Sequence, residues 1–262
     1  MIIDGKKLAV EHETVLKEKI QKLGIRPKVV SILVGDDPAS LMYSNMKQKK
    51  ATDLGIDFEL RKYPSQTSWE EVVNKIKELS LDVSIHGIMI QLPLPGEFLD
   101  KHSVDELLQF IEPGKDIDGL TGKGPVSAAT VRGVISILDD LKMDYKKAVF
   151  GVAGSEGQVG KEMAKELRKL EANVIEVDRK ISAASLKDLK DVDVIVSCVG
   201  DKYFILPDHV RERSILIDVG LGDFDPRCYE KASAYTPERG GVGPMTVISL
   251  MENVVELFQK MN

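Results

Sequence analysis

Tyr43 and Lys47 are the first two residues of this chain whose types and spacing could do chemistry together. They are four positions apart on a predicted helix, so they share one of its faces. A phenol beside an amine can handle protons, because the charge of each group shifts the pKa of the other and burial lowers the pKa of a lysine. On spacing alone, an ordinary pair of helix-surface residues is the simpler explanation.

Other polar residues stand where a ligand site would need them. Gln91 ends a predicted buried strand just before two prolines, and the carboxyl ends of parallel strands face the ligand crevice of an open sheet. Asp116-Ile117-Asp118-Gly119 is, taken alone, typical of a turn. Residues 240–244 precede the last predicted helix, and they either leave backbone N–H groups open to a ligand or only connect two elements.

A glycine-rich turn occupies residues 154–160, between a predicted strand and a predicted helix. Its spacing is G-x-x-G-x-x-G, whereas dinucleotide sites usually carry G-x-G-x-x-G, so the motif alone is weak. Glycines let the backbone approach a pyrophosphate, and the N–H groups that begin the following helix supply donors. A tight turn that binds no nucleotide is the competing explanation.

Asp178 and Arg179 end the next predicted strand and leave the choice of dinucleotide open. An acid about 20 residues beyond the first glycine commonly binds the ribose 2′-hydroxyl and favours NAD. Asp178 lies 24 positions after Gly154. Arg179 could instead neutralise a 2′-phosphate and thereby favour NADP.

Hydrophobic patterning places these residues on alternating strands and helices. Strands are predicted over residues 29–34, 56–60, 87–91, 148–153, 173–177, 193–199 and 214–219. Helices are predicted over residues 8–23, 38–54, 161–170, 183–190 and 246–260, with a further one beginning at the cap Ser68. Apolar strands that alternate with amphipathic helices indicate parallel sheets covered on both faces. We therefore expect an α/β protein of two domains, with a linker within residues 113–125.

Composition excludes several other classes of protein. The 262 residues carry a net charge of −6 without a basic stripe, which argues against a nucleic-acid binder. No stretch approaches the roughly 18 uncharged residues of a membrane span, and the N-terminus lacks the apolar run of a signal peptide. Cys198 and Cys228 have no metal-type spacing. We expect a soluble, cytoplasmic protein that binds neither nucleic acid nor membrane and holds no metal.

Taken together, these segments resemble the methylenetetrahydrofolate dehydrogenase/cyclohydrolase family over essentially the whole chain. Each motif is short, but six of them in the same order and spacing make the similarity specific. The motifs are Ile3-Asp4-Gly5-Lys6, Val34-Gly35 with Ser40-Leu41-Met42-Tyr43 and Lys47, Gln91-Leu92-Pro93-Leu94-Pro95, Lys115-Asp116-Ile117-Asp118-Gly119, Ile217-Asp218-Val219-Gly220, and Gly240-Gly241-Val242-Gly243-Pro244-Met245-Thr246.

The resemblance implies an enzyme with folate in a cleft between an α/β catalytic domain and a Rossmann-like dinucleotide-binding domain. It implies residues 1–124 with 241–262 for the first domain and residues 125–240 for the second. Such an enzyme oxidises 5,10-methylene-tetrahydrofolate to 5,10-methenyl-tetrahydrofolate with NADP, or alternatively with NAD, and often hydrolyses the product to 10-formyl-tetrahydrofolate. It is usually a homodimer, and its reactions serve one-carbon metabolism and purine biosynthesis.

The resemblance also implies roles for single residues. Lys47 would be the main catalytic residue, which activates water and transfers protons in the hydrolysis. Tyr43 would position the substrate, Gln91 would tune Lys47 by a hydrogen bond, and Asp118 would hold the donor edge of the pterin. Further substrate contacts would come from Gly241, Val242, Gly243 and Pro244. Cofactor contacts would come from Thr130, Arg132, Gly154, Ser155, Glu156, Gly157, Gln158, Val159, Asp178, Arg179, Gly200 and Leu221.

Departures from the family pattern are concentrated in the cofactor half. The family's Gly-Arg-Ser turn is Gly154-Ser155-Glu156 here, without the arginine that often meets a 2′-phosphate. The family commonly has Pro-Cys-Thr-Pro-x-Gly where this chain has Ala-Ala-Thr-Val-Arg-Gly over residues 128–133, and its His-Ser is replaced by Asp178-Arg179. The acidic replacement should weaken NADP binding, unless Arg179 or Arg132 restores the charge.

Three other functions stay open. A dehydrogenase with little hydrolytic activity would follow if Lys47 were poorly tuned. A non-catalytic dinucleotide- or folate-binding protein would follow if the altered turn no longer positioned the nicotinamide, although a binder has no need of a proton-handling pair. A short-chain dehydrogenase also uses Tyr-x-x-x-Lys, but there the pair follows the nucleotide-binding turn, whereas here it precedes Gly154.

Overall fold

A computed structural model describes residues 1–178 and 185–261 and contains two compact α/β units. One unit consists of His12–Ala129 and Leu250–Asn262, and the other of Met1–Glu11 and Thr130–Ser249. The predicted fold class, α/β with parallel sheets and two domains, is confirmed. These units group residues 1–11, 125–129 and 241–249 differently from the predicted domain limits, which stay a prediction.

The unit that contains Tyr43 and Lys47 is built on a three-stranded parallel sheet in the order β2-β1-β3. Its strands are β1 (Lys28–Val34), β2 (Asp57–Tyr63) and β3 (Gly87–Ile90). The β-branched run of β1 is buried from Val29 to Val34, because it is the central strand. The helices that begin in this half of the chain are α1 (Gly5–Gln21), α2 (Pro38–Asp53), α3 (Trp69–Leu81) and α4 (Val104–Leu108).

The start of α2 determines which of its residues turn inward. Asp37 caps the helix, since its Oδ2 accepts a hydrogen bond from Ser40 N at 2.7 Å, and Pro38 occupies the first helical position. The buried face of α2 consists of Ser40, Ser44, Lys47 and Ala51, at three- to four-residue spacing. A lysine therefore lies on the buried face of this helix.

The second unit has a five-stranded parallel sheet in the order β5-β4-β6-β7-β8. The strands are β4 (Val149–Ala153), β5 (Asn173–Val177), β6 (Val194–Ser197), β7 (Ile215–Asp218) and β8 (Ala234–Tyr235). The N-terminal residues extend this sheet, because Ile3 N donates to Tyr235 O at 2.8 Å and Tyr235 N donates to Met1 O at 3.0 Å. The helices of this half of the chain include α5 (Ala129–Asp140), α6 (Gln158–Lys169) and α7 (Cys228–Lys231).

Two predicted helices differ most from the structure, and α4, α5 and α7 were not predicted. The last helix, α8, runs over Val242–Met261 and so begins four residues before the predicted start at 246. The helix predicted at residues 183–190 falls partly outside the described residues, and the described part is a 3₁₀ helix over Ser185–Asp191. None of the helices in the two described ranges is long and apolar enough to cross a membrane.

Gly160 provides a test of the packing between the glycine-rich turn and α6. A Cβ at this position would overlap with the carbonyl oxygen of Gly154. Alanine is the better helix former by about 1 kcal/mol, but a backbone oxygen cannot rotate away from the clash as a side chain can. We expect Gly160→Ala to lower the free energy of unfolding by a net ~1–2 kcal/mol, measured by urea denaturation.

Gly96→Ala is the matched control, since a Cβ at Gly96 meets nothing within 4 Å. Its free energy of unfolding should stay within about 0.5 kcal/mol of the wild type. Equal urea midpoints for the two variants would show that the turn does not approach α6 as closely as the structure indicates.

Candidate active site

Lys47 and Gln91 form a buried polar contact between α2 and the end of β3. Lys47 Nζ donates to Gln91 Oε1 at 3.0 Å, and Gln91 Nε2 donates to Leu92 O at 2.6 Å. Only 5% of Lys47 and 7% of Gln91 is exposed. The amide of Gln91 is thus fixed at its nitrogen and presents its oxygen to the amine.

Tyr43 and Ser44 complete the surroundings of this amine on α2. The Lys47 Nζ lies 5.6 Å from the centroid of the Tyr43 ring, within the range of a cation–π contact. Ser44 is fully buried, and its Oγ lies 3.5 Å from Gln91 Oε1, at the limit of a hydrogen bond. The structure therefore brings Tyr43, Lys47 and Gln91 together, whereas Ser44 was missed because a lone serine in a helix carries no sequence signal.

The charge states of this cluster are set mainly by removal from water. Burial lowers the pKa of Lys47 from its ordinary value, and the negative charge of Asp118 partly opposes that shift. Burial likewise raises the pKa of Asp118, which the positive charge of Lys47 opposes, and it raises the pKa of Tyr43. Both shifts in the Lys47–Asp118 pair favour uncharged forms. The amine can therefore serve as a base at a lower pH than an exposed lysine.

The segment that carries Asp118 is a turn, as predicted, and neighbouring residues hold it in place. Asp116 Oδ1 accepts from Gly119 N at 2.9 Å, and Asp116 Oδ2 accepts from Thr121 N at 2.8 Å. Lys115 Nζ donates to the carbonyl oxygens of Leu79, Ser80 and Asp82, at the end of α3. The turn is thereby fixed to the same unit that holds Lys47.

The glycine-rich turn has the geometry of a phosphate cradle. Gly154 follows β4 with a φ of +77°, and a Cβ there would lie 2.8 Å from the carbonyl carbon and oxygen of Cys198. Gly157 caps α6, and this cap makes no side-chain hydrogen bond in the described structure. The backbone N–H groups in the first turn of a helix lack partners within the helix and can bind an anion. This close backbone approach and the helix N-terminus fit the pyrophosphate of a dinucleotide.

The predicted cofactor residues in this unit gather at one edge of its sheet. Asp178 directly follows β5 and is buried, Gly200 follows β6 with a φ of +70°, and Leu221 follows β7 with a φ of +66°. Since the strands are parallel, their carboxyl ends lie at the same edge as Gly154. Ser155, Glu156, Gln158 and Val159 belong to the same turn and the start of α6. Arg179 lies outside the described residues.

A pair of buried acids supports this edge. Asp223 accepts from Ser197 Oγ at 2.6 Å, from Val199 N at 2.9 Å and from Asp201 N at 3.0 Å. Asp218 accepts from Gly222 N at 2.7 Å, and burial raises its pKa to about 6. These bonds tie together the loops after β6 and β7. Asp218 stands in a recognised motif, whereas Asp223 has no signal in the sequence.

The remaining predicted site residues belong to the unit that contains the five-stranded sheet. Thr130 and Arg132 lie in the first turn of α5, and both are half-buried. Gly241 immediately precedes α8, while Val242, Gly243 and Pro244 form its first turn instead of the predicted loop. Within the described ranges, no group of three or more His, Cys, Asp or Glu side chains could hold a metal ion.

Comparisons with known proteins agree with this geometry. The family model described as tetrahydrofolate dehydrogenase/cyclohydrolase, catalytic domain, matches residues 3–118, and its NAD(P)-binding domain matches residues 128–262. The chain is 36% identical to the bifunctional protein FolD of Mesoplasma florum, over 99% of this chain and 98% of that protein.

Solved structures show the same similarity. The bifunctional enzyme FolD of Campylobacter jejuni has 31% identity and a TM-score of 0.88 over 99% of each chain. The Trypanosoma brucei methylenetetrahydrofolate dehydrogenase-cyclohydrolase, complexed with NADP and an inhibitor, has 25% identity and a TM-score of 0.89 over 99% of this chain and 97% of that one. The chain therefore belongs to the tetrahydrofolate dehydrogenase/cyclohydrolase family.

Proposed function

We propose that this protein oxidises 5,10-methylene-tetrahydrofolate to 5,10-methenyl-tetrahydrofolate and hydrolyses that product to 10-formyl-tetrahydrofolate. The observation that carries the proposal is the buried Lys47 amine, bonded to Gln91 and electrostatically coupled to Asp118. Family membership supplies the substrate class, and the buried amine supplies the base that the hydrolysis needs.

In the hydrolysis, water adds to the cationic carbon between N5 and N10 of the methenyl group. The neutral amine of Lys47 takes a proton from that water as the C–O bond forms. The C–N5 bond of the adduct then breaks as its hydroxyl group loses its proton to solvent and becomes the formyl C=O, and Lys47 returns the first proton to N5, which leaves the formyl group on N10. Because one N–H of Lys47 is bonded to Gln91 Oε1, the lone pair of the neutral amine points away from Gln91.

In the oxidation, a hydride must leave the methylene carbon, and a bound nicotinamide dinucleotide supplies its acceptor. This chain's own residues position the substrate. The Asp118 carboxylate accepts hydrogen bonds from the N–H donors of the pterin, and the Tyr43 ring packs against the folate. The turn at residues 154–160 holds the dinucleotide phosphates through backbone N–H groups.

We propose NADP as the cofactor, with Arg132 and Arg179 as candidate partners of its 2′-phosphate. NAD is the second candidate, because Asp178 is buried at the end of β5, where a carboxylate accepts hydrogen bonds from ribose hydroxyls. A homodimer, a cytoplasmic location, a role in purine biosynthesis and the domain limits 1–124 with 241–262 and 125–240 are further proposals that rest on the family resemblance.

Removing the amine tests the proposed base. Lys47→Met keeps the apolar stem but cannot accept a proton, so we expect the rate of methenyl-tetrahydrofolate hydrolysis to fall by about 10²–10⁴-fold. The loss of methenyl absorbance measures this rate. Lys49→Met, which changes an exposed lysine on the same helix, is the matched control and should keep the wild-type rate. Unchanged hydrolysis in Lys47→Met would exclude Lys47 as the base.

The pH dependence of hydrolysis tests the charge state of the same amine. Because burial lowers the pKa of Lys47, the enzymatic kcat/KM should rise with pH and level off below the ordinary lysine value of about 10.4. The anion of Asp118 favours the protonated amine, so Asp118→Asn should move the rising limb to lower pH. A limb that stays in place or moves to higher pH would contradict the coupling. Rates are measured after subtraction of the uncatalysed reaction.

A substitution at Asp178 tests which dinucleotide the protein prefers. Its carboxylate repels a 2′-phosphate and accepts a hydrogen bond from a 2′-hydroxyl, so Asp178→Ser should raise kcat/KM for NADP relative to NAD by about 10- to 100-fold. Dehydrogenase assays with both dinucleotides measure this ratio. Asp208→Ser, at an exposed acid of the same unit, should leave the ratio unchanged. If Asp178→Ser left the ratio of kcat/KM for NADP to that for NAD unaltered, the 2′ group of the ribose would not lie against Asp178.

A further inference from the structure

The Asn253 side chain, on α8, holds together the two ends of the loop that begins at Asp118. Asn253 is fully buried, and its Nδ2 donates to Ile117 O at 2.9 Å and to Ser127 O at 2.9 Å. We propose that Asn253 is a positioning residue for the folate reaction and acts by fixing the direction of the Asp118 carboxylate. The inference rests on the proposed function, in which Asp118 binds the pterin.

The chemistry of the contact requires an amide nitrogen at this position. Both partners are backbone carbonyl oxygens, which only accept hydrogen bonds, so the NH₂ group of Asn253 must point toward them. An NH₂ group carries two hydrogens, and here each has its own carbonyl. A carboxylate of nearly the same shape would place a negative oxygen against two carbonyl oxygens.

The backbone on both sides of Asp118 is held by hydrogen bonds. The preceding carbonyl, Ile117 O, accepts from Asn253, and the following amide, Gly119 N, donates to Asp116 Oδ1 at 2.9 Å. The carbonyl of Asp118 itself accepts from Ala129 N at 3.0 Å. With these three groups fixed, the direction of the Cα–Cβ bond of Asp118 is fixed as well.

The two arms of the loop touch at the point where Asn253 spans them. Gly119 has a φ of +69°, and a Cβ there would lie 2.7 Å from the carbonyl carbon and oxygen of Ser127. The backbone at Gly119 is therefore too close to Ser127 for the two arms of the loop to move nearer to each other. Asn253 is the side chain that bonds to both arms, so its loss releases Ile117 and Ser127 from each other and lets Asp118 turn away from the substrate.

The position of Asn253 allows an effect on folate binding to be distinguished from an effect on the catalytic step. A misplaced Asp118 weakens folate binding, so the KM for methenyl- and methylene-tetrahydrofolate should rise in both reactions. Lys47 and Gln91 keep their own hydrogen bond, so the kcat of hydrolysis should change far less than KM.

The experiment compares the full-length variants Asn253→Asp and Asn253→Ala with Val254→Ala, whose wild-type side chain is also fully buried on α8. For both Asn253 variants, we expect the KM for 5,10-methenyl-tetrahydrofolate to rise by about 10- to 100-fold, the scale of a misplaced binding group. Val254→Ala should lower the Tm but leave KM at its wild-type value. A KM that follows Tm across all three variants would overturn the proposal.

A double-mutant cycle with Asp118→Ala is the decisive measurement. If Asn253 acts through Asp118, Asn253→Ala should change kcat/KM by less than about twofold once the Asp118 carboxylate is gone. If Asn253→Ala instead lowers kcat/KM by the same factor in the wild type and in Asp118→Ala, the proposal is overturned. Inactive wild-type protein in both reactions would instead refute the proposed function, and the two failures are therefore distinguishable.

Discussion

The removal of the Lys47 amine from water is the constraint on which the candidate active site depends. An ammonium group that leaves water without full compensation shifts its pKa and becomes neutral. Gln91 offers one acceptor and Asp118 offers a charge, and these are enough to bind the amine but not to cancel the effect of burial. In the proposed mechanism, this amine becomes a base because the fold removes it from water.

The two units prepare their sites in different ways. In the unit with Lys47, side chains form the candidate site, and the helix that Asp37 caps carries Lys47 on its buried face. In the other unit, the backbone makes the site, since glycine at position 154 permits both the left-handed φ and the close contact with Cys198. Two buried acids, Asp218 at the end of β7 and Asp223 after it, then hold the loops that follow β6 and β7.

The sequence predicted what depends on local pattern. The apolar run of β1 and the Asp37–Pro38 helix start each follow from neighbours within a few residues. Helices α4, α5 and α7 were not predicted. The two-residue strand β8 is too short to show periodicity. Asp223 and Asn253 could not be predicted as supports, because their partners lie 22 to 136 residues away. The helix at 183–190 shows a further limit, since its described part is 3₁₀ and not α-helical.

The path of the chain through the two units has a consequence for how the protein is made. The unit with Lys47 needs Leu250–Asn262, which leave the ribosome after all of residues 1–249. Domains usually fold in order of synthesis, yet here the earlier of the two halves must wait for the last helix before Asn253 can reach the Asp118 loop. A nascent chain stalled short of that helix therefore holds Tyr43, Lys47, Gln91 and Asp118 but lacks the helix that supports the Asp118 loop.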